Sequence, residues 1–481
     1  MSFRRNVLAM LTGTAMAQAI PLAISPLLTR LYSPEAIGLQ TLFMGWAAAL
    51  GVAATCRYDL AVVLPDKEED ADHLTALVLA LSAGVLLLLA LTVMLFGPAL
   101  REAAGYPGQH SWLWLLLPML AGTTLTLLAS AHAARARHFT PVARAAVFNQ
   151  AAYALIAVAI GLIGAQADGL VWAKVGGQAV AAATVLLVFG ASLRRALRGI
   201  RWASLRASAA RYRQFLVYNT PYSLIGTVAR DMPIFVFAAM SATSAAGFYG
   251  LTRSVLMAPT LLVSNALSQV FYREAVALRG SPRLLALTLA LLRLGLMAGA
   301  PLFAFCALWG DEVFALLFGP GWRRAGEYAM IMAPAAWMAL QTGWPERLFE
   351  VCMRQDLSFK VQIGADIVMA ASVIVPLALG HDVIVAIAAF TVANLLYHLV
   401  YLGAIFRAAG FEATSLGRLL GAGWLRFALI CLALAIVREL SDASLAAGAL
   451  LAVLCAGGAL LAARTHWRQV TTLMQAKEAT P

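Results

Sequence analysis

Charge is what this sequence is short of. Only 12% of its 481 residues are Asp, Glu, Lys or Arg, about half the share of a water-soluble globular chain; a soluble domain is thereby excluded as the whole answer. Acid is scarcer than base, with 23 Asp and Glu against 35 Lys and Arg. The five cysteines, Cys56, Cys306, Cys352, Cys431 and Cys455, lie inside or at the ends of apolar runs, with no CxxC pair and no His cluster. That excludes a disulfide framework and a cysteine metal site, and leaves them as small hydrophobes. P-loop, HExxH and nucleophile-elbow patterns are missing too, which removes the commonest signatures of nucleotide, zinc-hydrolase and serine-hydrolase chemistry.

Apolar side chains fill the space, at 62% of the chain. Runs of about twenty residues, long enough to cross ~30 Å of hydrocarbon as a helix, recur at 7–28, 36–56, 74–96, 111–133, 144–164, 169–191, 215–240, 247–271, 284–309, 327–353, 362–380, 384–406, 419–437 and 443–463. An all-α polytopic membrane protein with about 14 spans is predicted. The start, MSFRRNVLAMLTGTAMAQA, has the basic residues, short apolar stretch and Ala15-x-Ala17 of a cleaved signal. Because the apolar character continues through IPLAISPLL, an uncleaved first span is expected.

An even number of spans puts both termini on one side, and most Lys and Arg fall in loops on that same side, so the termini are expected in the cytoplasm. The loop RRALRGIRWASLRASAARYRQF, residues 194–215, holds seven arginines and no acid. It reads as a topological determinant lying along the anionic inner leaflet, the alternative being a dedicated partner-binding segment. It also divides six spans from eight. The expected organisation is an N-terminal six-helix lobe at 1–193, a basic linker at 194–214, a second six-helix lobe at 215–408, and two extra spans with a tail at 409–481.

If the two lobes are repeats, the spans should align. A shift of 209 lays SPEAIGLQTL (33–42) over ATSAAGFYGL (242–251), so that Ala36 meets Ala245, Gly38 meets Gly247 and Leu42 meets Leu251. Six spans per repeat make the repeats parallel, related by an axis along the membrane normal. Prolines fit a bending function: Pro21 and Pro26 lie in the first span and Pro221 and Pro233 in the seventh, each removing a helical hydrogen bond.

RYDLAVVLPDKEEDADHL, residues 57–74, carries eight charged residues between Arg57 and Asp72. Arg57 ends the second span, with Asp59 as a candidate partner. LAVVL is β-branched and expected to be extended. Asp66 and Glu69 have capping-box spacing, and Lys67, Glu68, Glu69 and Asp70 would fill the first turn of the third span, where carboxylates complement free N–H groups.

The order Arg-Tyr-Asp-Leu-Ala-Val-Val-Leu-Pro followed by acid and Ala71, after PLLTRLYSPEAIGLQTL, resembles the polysaccharide transporter branch of the multidrug/oligosaccharidyl-lipid/polysaccharide (MOP) exporters, the Wzx-like flippases. The resemblance covers about the first seventy-five residues. It implies two six-helix lobes around a cavity lined by spans 1, 2, 7 and 8, alternating access, and an undecaprenyl-diphosphate-linked oligosaccharide moved across the bacterial inner membrane. It also implies work beside the polymerase and chain-length proteins of the same polysaccharide pathway, and a substrate lipid as the direct partner. No cofactor is expected; a proton or sodium gradient would drive transport.

Ionisable groups inside spans are costly and tend to face a cavity or a partner. Arg30, Arg57, Arg230, Asp231, Arg253 and Arg293 are the candidate cavity residues, since guanidinium forks hold a diphosphate bidentately. Arg230 pairing with Asp231, and Arg253 snorkelling to the interface, are the alternatives. Glu346, Arg347, Glu350 and Asp366 form a candidate ion network or coupling group, which Arg293 could join; Arg57 and Asp59 are candidates for gating. Gln18, Asn219, Tyr222, Asn265 and Gln269 suit a sugar, or equally the packing of helices. The rival functions are a multidrug exporter of the same architecture and a membrane glycosyltransferase or polymerase, for which the short outer loops hold little beyond Arg101, Glu102, Asp311, Glu312, Arg323 and Arg324.

Overall fold

The computed structural model describes residues 3–106, 112–136, 138–164, 168–198, 201–240 and 242–475, with only the backbone described at 3–15, 265, 266, 269 and 465–475. Among these residues there are fourteen helices of twenty residues or more, two shorter ones, and no strand. The order is α1 (Phe3–Leu31), α2 (Pro34–Thr55), α3 (Glu68–Ala103), α4 (Trp112–Ala136), α5 (Thr140–Leu162), α6 (Gly169–Arg198), the short α7 (Trp202–Arg211), α8 (Thr220–Ala239), α9 (Thr243–Ala277), α10 (Pro282–Phe318), α11 (Arg323–Thr342), the short α12 (Arg347–Val351), α13 (Gln355–Ala378), α14 (Val383–Ala408), α15 (Ala413–Leu440) and α16 (Leu445–Gln475). Each of the fourteen long helices falls on one expected span. Ten of them are long and apolar enough to cross a membrane on length and composition, so the chain is a multi-pass membrane protein. Arg230 and Asp231 dilute the apolar run of α8, which is not among the ten.

Local chemistry sets the breaks. Ser33 caps α2 by accepting the Ala36 N–H at 3.3 Å, with Pro34 at the first helical positions. Pro21 and Pro26 are interior to α1, as is Pro233 to α8. Pro221 instead sits in the first turn of α8, directly after a π-turn at Phe215–Asn219, so there it opens the helix. α10 kinks at Trp309, whose φ and ψ are −123° and 16°.

Contacts divide the chain into two compact units, Met1–Gly250 and Leu251–Pro481, with the boundary inside α9. In the first unit α5 packs on α1 and α6, and α8 packs on α2. In the second, α10 packs on α11, α15 and α16. Aromatic contacts hold the last two helices there. Trp337 of α11 stacks on Phe427 of α15 at 4.5 Å and donates its indole N–H to the Leu296 carbonyl at 3.2 Å. The Trp309 ring occupies the space beside Gly448 of α16, where an added Cβ would lie 2.7 Å from it.

Candidate functional site

In the first unit two backbone segments meet at a pair of glycines, with the Tyr106 hydroxyl beside them, 2.8 Å from a Cβ built on Gly38. A Cβ added to Gly38 of α2 would overlap the Thr243 carbonyl oxygen and lie 3.0 Å from the Gly247 nitrogen; one added to Gly247 of α9 would overlap the Pro34 carbonyl and lie 3.1 Å from the Gly38 nitrogen. The two sets of contacts are reciprocal under the 209-residue shift read from the sequence, because Gly38 maps to Gly247 and Pro34 to Thr243. Gly250 packs on Thr41, its own counterpart, at 2.6 Å from a built Cβ to the hydroxyl oxygen. Mutual contact between residues paired by that shift is what a local two-fold relation produces, and it joins α2 to the first turns of α9.

The far end of α2 runs into RYDLAVVLPDKEEDADHL, and here the structure corrects two expectations. Tyr58–Val63 is a 3₁₀ turn and not an extended run, because Tyr58, Ala61 and Val62 bury against Leu74, Leu77, Leu128, Leu193 and Leu205. Nor does Asp66 cap α3. The helix starts at Glu68 after Lys67, with no side-chain cap, while Arg135 of α4 donates to the Pro65 carbonyl and, at 3.3 Å, to that of Asp66. Glu68, Glu69 and Asp70 do occupy the first turn. The acidic run also meets arginines: Arg195 of α6 bonds Asp72 at 2.6 Å and Glu68 at 3.0 Å, and Arg211 of α7 reaches Asp70 at 3.6 Å. The Tyr58 hydroxyl donates to the Ala209 carbonyl of α7 at 3.1 Å; burial pushes its pKa up, with the nearby Cys56 adding to the effect, and the phenol stays a donor.

Arg57 and Asp59 do not form the expected ion pair. Arg57 adopts a left-handed backbone (φ 58°), as Cys56 does before it (φ 46°), which stores strain in a residue that carries a Cβ. Asp59 is 2% exposed, and both its Oδ1 and the Nε of Arg57 are buried without a hydrogen-bond partner.

The other candidate cations are distributed over both units. Arg30, exposed near the end of α1, donates to the Pro26 carbonyl at 2.6 Å. On α8, Arg230 lies 3.9 Å from Asp231, with side chains 60% and 12% exposed; Asp231 faces Gly45 of α2, beside the Phe235 ring that packs on Trp46. In the second unit Arg253 is half-buried and Arg293 exposed. Arg347 donates to Glu350 at 2.6 Å and to Ser268 at 3.0 Å, and Glu346 accepts a hydrogen bond from Tyr401. Asp366 does not touch this group: it accepts from Gln362 at 2.8 Å, which accepts from Tyr397 at 2.8 Å, whose ring lies 5.2 Å from that of Tyr401. The expected network is thus two clusters bridged by a tyrosine pair, and Arg293 makes no ion pair with either among the described residues. Gln18 is half-buried, Asn219 and Tyr222 are exposed, and the side chains of Asn265 and Gln269 lie outside the described residues.

One intramembrane cation escapes a reading of the sequence. Lys174 of α6 sits 3.6 Å over the ring of Tyr153, itself bonded to Gln40 at 3.1 Å, next to a chain of amides in which Asn149 donates to Gln178 and Gln178 to Thr126. Its place five residues into α6 is the available signal, and nearness to the preceding loop hides it.

Three comparisons bear on this geometry. A family model described as polysaccharide biosynthesis protein matches residues 27–327. No curated protein matches the chain by sequence. Among solved structures, the fold is similar to that of the lipid II flippase MurJ in an inward closed conformation, with a TM-score of 0.73 at 11% identity over 96% of this chain and 99% of that one. It is also similar to an inward-facing MATE family multidrug resistance transporter of the MOP superfamily, with 0.52 at 14% identity over 83% and 94%. The MATE multidrug transporter DinF-BH gives 0.54 at 14% identity over 84% and 95%. With its family model spanning more than half its length, the chain belongs to the polysaccharide biosynthesis protein family, and its fold is the one these transporters share.

Proposed function

We propose that the protein translocates an undecaprenyl-diphosphate-linked oligosaccharide from the inner to the outer leaflet of the bacterial cytoplasmic membrane by alternating access, with both termini in the cytoplasm. The reciprocal glycine crossing carries this reading. A transporter needs a contact between its halves that is tight when closed and cheap to part, and backbone laid on backbone, with only the Thr41 side chain and the Tyr106 hydroxyl beside it, supports both properties. In this orientation the crossing stands at the outer ends of α2 and α9, and the Arg57 turn at the inner end of α2.

An anionic diphosphate supplies a partner for the arginines. Arg30, Arg57, Arg230, Arg253 and Arg293 are the candidates to meet it, since charge-assisted guanidinium forks hold phosphate oxygens. Asp231 would set the orientation of Arg230. The Glu346–Arg347–Glu350 and Asp366 clusters are the candidates for coupling to a proton or sodium gradient. Arg57, with its left-handed backbone, and Asp59, with its buried and unbonded Oδ1, are the candidates to repartner when the inner end opens. The lipid-linked substrate would come from an enzyme that extends a sugar chain on the lipid at the inner face, and leave to one that polymerises it outside.

The test is transport by the purified chain in liposomes. A fluorescent lipid-linked oligosaccharide should become accessible on the opposite leaflet without change to its glycan. Chemical turnover of the glycan by the pure protein would overturn the proposal. Complementation of a strain lacking a known flippase, with analysis of the lipid-linked sugar that accumulates, would then identify the substrate.

A further inference from the structure

Helix α7 has two flanks with opposite electrostatic surroundings. Its buried face is Leu205 with Ala209 and Tyr212, packed on the 3₁₀ turn and α3. On one side of that face Arg211 is paired with Asp70. On the other, at positions i and i+4, stand Trp202 and Arg206, both exposed, Trp202 by 80%, and Arg213 is exposed just beyond the end of the helix. The two helical positions fall within about 40° of one another on a helix of 3.6 residues per turn. Arg198 and Arg201 at the approach to α7 are exposed as well, and no acid occurs between residues 194 and 219. The arginines beside the acidic run have acid partners, and among the described residues those facing away form no ion pair.

The chain itself fixes what lies on that side. α7 begins four residues after the end of α6, a membrane-spanning helix, and ends four residues before the turn that leads into α8, so it cannot leave the bilayer surface. An exposed tryptophan beside arginines is the composition of an interfacial helix, with the indole at headgroup level and the cations on anionic phosphates. We propose that the Trp202–Arg206 flank of α7, with Arg213 just beyond its end, docks on the anionic phospholipid headgroups of the leaflet it faces, the inner one in the orientation proposed above. Through Tyr58 and Arg211, the same helix then links leaflet charge to the Arg57 turn.

The experiment uses the full-length protein in nanodiscs of phosphatidylcholine alone and of phosphatidylcholine with phosphatidylglycerol, followed by amide hydrogen exchange. The turn at residues 409–416 serves as reference for the general effect of a negative surface. Each cation near an anionic leaflet is worth about fivefold, so exchange of α7 amides, relative to the reference, should slow by up to about 25-fold in the anionic discs. Arg206→Gln/Arg213→Gln should lose that slowing, and Arg206→Lys/Arg213→Lys should keep it. Equal exchange in the two lipids, slowing that persists in the glutamine variant, or the same slowing from inorganic phosphate added to phosphatidylcholine discs would each overturn the proposal. None of these readouts depends on transport, so the result stands apart from the assignment of the substrate.

Discussion

The glycine crossing yields the sharpest quantitative test. Gly38→Ala puts a methyl into the Thr243 carbonyl, and Gly247→Ala puts one into that of Pro34. Backbone cannot rotate away as a side chain can, so α2 and α9 must separate. Overpacking of this kind costs about 1–3 kcal/mol, borne only by the state in which the crossing is closed. Each substitution should thus shift the population toward the parted state by about five- to 150-fold. Because the two contacts are reciprocal, the single variants should behave alike. They should also be strongly non-additive, since a separation that accommodates one methyl already makes room for the other. Leu42, one turn along the same face of α2, is 1% exposed and serves as reporter. In a cysteine-free background, Leu42→Cys should react with a membrane-impermeant maleimide faster in either glycine variant, and in the double variant little faster than in the singles, while transport falls. Additive effects, or a loss of thermal stability with no gain in labelling, would show that the crossing is a fixed packing contact and not a gate.

Arg253→Ala is expected to impair transport while leaving the thermal unfolding midpoint intact; normal transport by a liposome assay would remove Arg253 from the substrate path. Gly448→Leu should drive a side chain into the Trp309 ring and weaken the docking of α16 by about 1–3 kcal/mol, visible as faster exchange confined to α15 and α16; unchanged exchange there would contradict the packing described. Tyr58→Phe removes the bond to the Ala209 carbonyl at a cost of about 0.5–1.5 kcal/mol, and α7 amides should exchange faster by a matching factor, whereas wild-type rates would mean that Tyr58 does not tether the helix.

The fourteen helices were legible because a span leaves a long apolar run, and run length alone separates it from a buried soluble helix. The sequence set Gly38 over Gly247 by a shift of 209 but did not announce that the two touch; only glycine permits two backbones to approach so closely. Lys174 was missed because its partner is the Tyr153 ring, twenty-one residues away on another helix, and no charge pattern announces a cation held by an aromatic face. The Glu346 and Asp366 clusters were expected as one network because both lie in adjoining spans. In fact Tyr397 and Tyr401, one turn apart on α14, stand between them, and sequence offers no way to place a third helix in that gap.

RYDLAVVLPDKEEDADHL shows most clearly where local reasoning stops. Taken by itself, its acidic half needs no explanation beyond the first turn of a helix, where carboxylates meet free N–H groups. Yet Glu68 and Asp72 are bound by Arg195, Asp70 by Arg211, and the Pro65 and Asp66 carbonyls by Arg135, partners some 70 to 140 residues distant that no window can see. The β-branched LAVVL likewise follows its burial, not its propensity. What remains outside this clasp is Arg57 and Asp59. They sit between the end of α2 and a turn tied to three other helices; Arg57 has a left-handed backbone, and its Nε and the Asp59 Oδ1 are buried with no hydrogen-bond partner. Unsatisfied groups of that kind cost about 1–3 kcal/mol each, a cost that a different arrangement of α2 against the clasp would recover. If α2 moves as proposed, the turn is the place in the first unit where that movement would release stored energy.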